Sequence, residues 1–214
     1  MIISKKLSLK ALFTSLICIF LFTNTYAESP IKIMLYGDSL MAGYGLPQNE
    51  NLASELTRSF EDNNFSVSII NASISGNTSK NGLSRVDWSI GDKPNIVIVC
   101  LGANDMLRGL NPSLTMENLD SIILKFNQSN SIVILAGMQS PESMGPDYKI
   151  QFDGIYPELA DKYDLIFMPF LLEDIALEKK NLQADYKHPN KRGIKIMASN
   201  LYPYILEGIA QLKK

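Results

Sequence analysis

Histidine is the scarcest reactive residue in this chain: there is one in 214 residues, alongside two cysteines, one tryptophan and no excess of basic side chains. Each shortage excludes something. Cys18 falls in an N-terminal segment that is set aside below, so Cys100 is left alone and the rest of the chain has no internal disulfide. It sits in Ile96-Val-Ile-Val-Cys100-Leu101, a wholly apolar run that reads as the setting of a buried, unreactive thiol. Lys and Arg number 20 against 22 Asp and Glu, which argues against a nucleic-acid partner. No apolar run approaches the roughly 20 residues that span a bilayer. Internal repeats, low-complexity tracts and interdomain linkers are also missing. At 46% hydrophobic and 20% charged, the chain has the composition of one globular domain with a sizeable core.

Residues 1–27 read as a secretory signal. Lys5, Lys6 and Lys10 precede an apolar stretch from Ala11 to Phe22, and Thr25-Tyr26-Ala27 supplies small residues at the positions a signal peptidase reads. Cleavage after Ala27 removes three lysines and no acid, taking the formal charge from −2 to about −5. The remaining domain, 28–214, is then expected outside the cytoplasm, with the periplasm preferred over the medium and no stable membrane insertion.

In that domain, short runs rich in Ile, Val and Leu recur at 31–36, 67–70, 96–101, 132–136 and 165–168. Such runs suit strands covered on both faces. Amphipathic stretches at 53–63, 115–127, 152–162 and 191–212 alternate with them. This pattern predicts a single α/β domain with a parallel sheet and right-handed crossovers. The first run, Ile31-Lys-Ile-Met-Leu-Tyr36, ends in Gly37-Asp38-Ser39-Leu40. By itself Gly-Asp-Ser is ordinary turn chemistry, but the carboxyl end of a strand is also where an α/β protein presents a nucleophile. In a sheet of order 2-1-3-4-5, the loops after strands one and three flank the crevice where ligands bind. Ser39 and Asn104, in Gly102-Ala103-Asn104-Asp105, would then face each other.

Acyl transfer requires donors for a developing oxyanion. The Ser39 amide, the Gly76 amide with no side chain to block approach, and the Asn104 side chain could supply them. Serine chemistry also needs a base that titrates near neutrality, and His188 is the only histidine available. A lone histidine before a helix is ordinarily a surface or capping residue. Asp185, three positions earlier, is close enough in sequence to hold the imidazole tautomer, as an aspartate does in a serine triad.

Four blocks together, Gly37-Asp38-Ser39-Leu40, Gly76, Gly102-Ala103-Asn104-Asp105 and Asp185-Tyr186-Lys187-His188, resemble the SGNH (GDSL-type) hydrolases in order and content. The runs Asn71-Ala-Ser-Ile-Ser-Gly76, Leu107-Arg-Gly109 and Ile155-Tyr-Pro-Glu-Leu159 look like the subgroup of exported arylesterases and acyl-CoA thioesterase/lysophospholipases. The resemblance implies a three-layer α/β/α, flavodoxin-like fold with a five-stranded parallel sheet. It implies Ser39 as nucleophile, His188 as base, Asp185 as its partner, and an oxyanion hole from Ser39, Gly76 and Asn104. It also implies no metal or organic cofactor and a small-molecule ester or thioester substrate with an acyl chain. Tyr186, Lys187, Met106 and Met41 depart from the smaller residues common at those places, and a bulky Tyr186 would be strained if its φ is positive. Leu110, Met138 to Met144 and Phe170 to Leu172 are candidates for an acyl groove. A carbohydrate O-acetylesterase, or a non-catalytic binding module on the same fold, would carry a similar frame. A nucleotide-binding flavodoxin-like domain would need a phosphate-cradling glycine loop that the chain lacks.

Overall fold

Five parallel strands form one sheet in the order β2-β1-β3-β4-β5 in the computed structural model, which describes residues 29–213. The proposed signal, residues 1–27, lies outside the described residues. Strands β1 (Ile31–Gly37), β2 (Val67–Asn71), β3 (Ile96–Cys100), β4 (Ile132–Ala136) and β5 (Ile166–Met168) fall within a residue of the apolar runs that predict them. The central strand β3 is buried along its whole length, and β1 from Ile33 onward, because helices cover both faces. Ile33 pairs with Ile69 on one side and Ile96 on the other, which fixes the register of the sheet centre.

The helices are α1 (Ser39–Ala42), α2 (Leu52–Asp62), α3 (Ser79–Ile90), α4 (Ala103–Leu107), α5 (Pro112–Gln128), α6 (Pro146–Tyr163) and α7 (Lys191–Leu212). Helices α2 and α7 pack together on one side of the sheet, while α5 packs between α3 and α6 on the other, giving three layers. Polar caps define the starts: Asn51 accepts from the Ser54 amide, and Asn190 from the Arg192 and Gly193 amides. Pro112 and Pro146 occupy the first turns of α5 and α6, where a missing N–H costs nothing. Both helices therefore begin earlier than their apolar periodicity suggests.

Helix α3 has no counterpart in the sequence reading. Its buried positions are Ser79, Gly82, Val86 and Ser89, too small and polar to make an apolar stripe. It is started instead by a Thr78/Asn81 capping box and packed closely, with a Cβ at Gly82 falling 2.3 Å from Leu101 Cδ1. Among the described residues no helix is long and apolar enough to cross a membrane.

Candidate active site

Where β1 ends, the chain turns so tightly that only glycine fits at position 37. A Cβ there would lie 2.7 Å from the Cys100 carbonyl oxygen and 2.7 Å from Met41 Sδ. Asp38 then caps the short helix α1, its Oδ1 accepting from the Leu40 amide at 3.0 Å. Gly43, left-handed at φ 83°, closes that turn. Ser39 is thus held at the head of a rigid turn on the carboxyl edge of the sheet.

The loop after β5 travels back across that edge to bring His188 to Ser39. His188 Nε2 lies 2.8 Å from Ser39 Oγ, and His188 Nδ1 lies 2.6 Å from Asp185 Oδ2, although Ser39 and His188 are 149 residues apart. Asp185 is fixed in turn, its Oδ1 accepting from the Lys187 and His188 amides at 3.0 and 3.1 Å. The bond to His188, followed by those two amides, lowers its pKa from 3.8 to about 2. Gln183 anchors the loop, donating through its amide to the His188 carbonyl and through Nε2 to the Tyr44 and Pro189 carbonyls. Tyr186 does adopt a positive φ, 55°, and the Asp185–His188 bond forms with that bulky residue between them.

Ser39, Gly76 and Asn104 line one cleft of about 510 Å³ together with His188. The Ser39 and Gly76 amides have no hydrogen-bond acceptor among the described residues. Asn104 is differently placed: its Nδ2 donates to Asp38 Oδ2 and to the Asn77 carbonyl, both at 3.1 Å. With acceptors at both contacts, the NH2 end of that amide must face the Asp38 side. Asp38 is almost fully buried, and burial outweighs its hydrogen bonds, raising its pKa from 3.8 to about 6.

Several supporting residues are not assigned a role by the sequence. Arg85 spreads its guanidinium over three partners, donating to the Ala72 carbonyl at 2.6 Å, Asn77 Oδ1 at 2.8 Å and the Gly37 carbonyl at 3.1 Å. It also covers the ring of Tyr36 at 4.0 Å, a phenol whose pKa burial pushes to about 12. Arg108 donates to the Gly76 carbonyl at 3.1 Å and so ties the Gly76 loop to the end of α4. The buried Asp105 accepts from the Ser79 amide and hydroxyl at 2.8 and 2.5 Å and from Thr115, locking the loop after β3 to the start of α3. For Asp105 the signal was present in the Gly102-Ala103-Asn104-Asp105 block; for Arg85 there was none, since an arginine inside a helix is usually a solvated face.

The groove candidates divide. Met138, Phe170 and Leu172 line the cleft, and so do Met106, Tyr186 and Lys187, three of the departures from the family pattern. Leu171 and Met41 are core residues, Met144 packs against the core, and Leu110 stands outside the lining.

A doubly wound sheet with a serine, an imidazole and a carboxylate in hydrogen-bonded sequence at its switch point is the frame of an acyl-transferring hydrolase. The model of the GDSL-like Lipase/Acylhydrolase family matches residues 35–196, and the chain belongs to that family. It is 32% identical over 194 residues to the arylesterase of Vibrio mimicus, covering 90% of this chain and 93% of that one. To thioesterase 1/protease 1/lysophospholipase L1 of Escherichia coli strain K12 it is 34% identical over 166 residues, 77% of this chain and 78% of the other. Among solved structures, the psychrotrophic esterase EstA from Pseudoalteromonas sp., inhibited by monoethylphosphonate, superposes with a TM-score of 0.80 at 31% identity, over 84% of this chain and 99% of EstA. AlinE4, an SGNH-hydrolase family esterase, gives 0.71 at 38% identity, over 84% and 96% of the two chains.

Proposed function

We propose that this chain is a serine esterase that hydrolyses carboxylic esters and acyl thioesters through an acyl-enzyme on Ser39. The observation that carries the reading is the continuous row Ser39 Oγ, His188 Nε2, His188 Nδ1, Asp185 Oδ2, with its serine end opening into the cleft. In this mechanism His188 takes the Ser39 proton as Oγ attacks the acyl carbon. It then returns that proton to the departing alcohol or thiol, and repeats the sequence with water. Asp185 holds Nδ1 protonated and stabilises the imidazolium. The negative oxygen of the tetrahedral intermediate takes hydrogen bonds from the two unoccupied amides, Ser39 and Gly76. Asn104 joins them by sharing the hydrogen it gives to the Asn77 carbonyl, while Asp38 keeps its amide from turning over. Each such donor is worth about 3 kcal/mol in the barrier.

The cleft is lined largely by apolar side chains, Met106, Leu107, Met138, Phe170, Leu172 and Leu182 among them. That supports an acyl chain over the shallow polar groove expected of a carbohydrate O-acetylesterase. The N-terminal lysines and the apolar run behind them support export, with the enzyme meeting small ester and thioester substrates in the periplasm.

The test is turnover of p-nitrophenyl esters from acetate to decanoate by residues 28–214, beside Ser39→Ala and His188→Ala. Both variants are expected to lose at least about 10³-fold in kcat. Undiminished turnover in either would remove the mechanism. A preference that peaks at acetate would move the assignment to the acetylesterase.

A further inference from the structure

A single large apolar side chain left in water is ordinary, but several converging on one face mark a place where something docks. Of the eleven such side chains exposed among the described residues, five gather at the mouth of the Ser39 cleft. Tyr44, Leu107 and Tyr186 line it while more than half exposed, and Ile74 and Leu177 adjoin the lining residues Ser75 and Ala176. Leu177 is almost entirely in water, at 95% exposure. The five come from five separate segments: the turn after α1, the loop after β2, the end of α4, the turns after β5 and the segment before α7. No one amphipathic helix produces them, so a missing helix partner does not account for the patch.

The free charges around the same mouth are positive. Lys187 lines the cleft, Lys179 Nζ stands 5.3 Å from the ring centroid of Tyr186, and Arg108 adjoins Leu107. None of these cations has an ion-pair partner among the described residues. The carboxylates nearby are engaged or turned elsewhere. Asp38 is buried, Asp185 is bonded to His188, Glu178 pairs with Lys180 at 3.0 Å, and Glu173 and Asp174 line a separate groove against α7. In a chain whose acids outnumber its bases, unpaired cations set among apolar side chains match the interface of an anionic bilayer, where acyl chains lie beneath phosphates. The lining behind them is apolar too, so an acyl chain passing from lipid to Ser39 stays out of water throughout.

We infer that the mouth of the cleft is a docking face for an anionic phospholipid bilayer, bound reversibly and peripherally. Ile74, Leu107 and Leu177 reach beneath the headgroups, Tyr44 and Tyr186 lie at headgroup level, and Lys179, Lys187 and Arg108 meet the phosphates. The acyl cleft proposed above gives this face its use, but binding needs no turnover, so the two readings fail separately.

The experiment floats residues 28–214 carrying Ser39→Ala, which spares the lipid esters, with vesicles of phosphatidylcholine alone or with about one part in three phosphatidylglycerol. Binding to the mixed vesicles is expected to be at least about tenfold tighter than to phosphatidylcholine and to weaken as salt rises. Leu177→Ser is expected to weaken it about tenfold and Lys179→Gln about fivefold. Ile150→Ser, which removes an exposed isoleucine outside the cleft, is expected to change nothing. No binding to either vesicle, equal binding to both, or an equal loss in Ile150→Ser overturns the docking face. So does a dimer that forms without vesicles and is abolished by Leu177→Ser, which would assign the face to a second copy of this chain. A wild-type protein that binds the vesicles yet hydrolyses no ester would overturn the serine esterase reading alone.

Discussion

At position 38 a carboxylate is kept almost out of water one residue before Ser39, and it does two jobs with its two oxygens. One caps α1 at the Leu40 amide; the other holds the Asn104 amide. Burial lifts its pKa from 3.8 to about 6, so the folded protein binds the proton more tightly than the unfolded chain. Its contribution to stability is full below about pH 4 and is lost as pH rises through about 6. Asp185 behaves oppositely: with its pKa lowered to about 2, its contribution is present above about pH 4 and is lost as pH falls toward 2. Urea melts of wild type and Asp38→Asn between pH 4 and 8 should therefore show wild type losing ground to the variant up to about pH 6 and running parallel above pH 7. The same variant should lose about 10²-fold in kcat with little change in KM, because a neutral amide at 38 no longer dictates which end of Asn104 faces it. Unaltered kcat would show that Asn104 needs no such restraint.

Among the elements, α3 carries the part of the site that is least visible beforehand. Its Arg85 reaches the end of β1 and the loop after β2 at once, tying Gly37, Ala72 and Asn77 together just ahead of the Ser39 turn. Removing the guanidinium leaves two carbonyls and an amide oxygen to find other partners. Arg85→Ala should cost about 2 kcal/mol in urea unfolding and lower kcat by loosening the Gly76 loop. Arg85→Lys should recover less than half of either effect, since an ammonium cannot span the three acceptors of the fork. A lysine variant equal to wild type would reduce Arg85 to a simple positive charge. The helix escaped the sequence reading because Ser79, Gly82 and Ser89 face inward where an apolar stripe would normally announce burial. The strands were legible for the converse reason: a strand buried on both faces has to be apolar at every position, as Ile96 to Cys100 are.

For the whole molecule, the sheet order decides the chemistry. Placing β1 between β2 and β3 sets the Ser39 turn between the Gly76 and Asn104 loops, and only the return of the 169–190 segment adds His188. A site assembled from both ends of one cooperative domain should vanish with the fold. Activity and far-UV circular dichroism are accordingly expected to share one midpoint in urea. An activity midpoint well below the spectroscopic one would mean that the His188 loop unlocks by itself.

The sequence alone determined the strand runs, the parallel α/β class and the four polar blocks, because burial on two faces and the residue types that acyl chemistry requires are written locally, in consecutive residues. Tertiary packing sets the 2.8 Å between Ser39 Oγ and His188 Nε2, the hold of Asp38 on Asn104, the grip of Arg85 on the end of β1 and the loop after β2, and the positive φ of an exposed Tyr186. Those depend on contacts between residues far apart in the chain and on the dielectric around a buried carboxylate, and neither quantity exists until the sheet has closed over its helices.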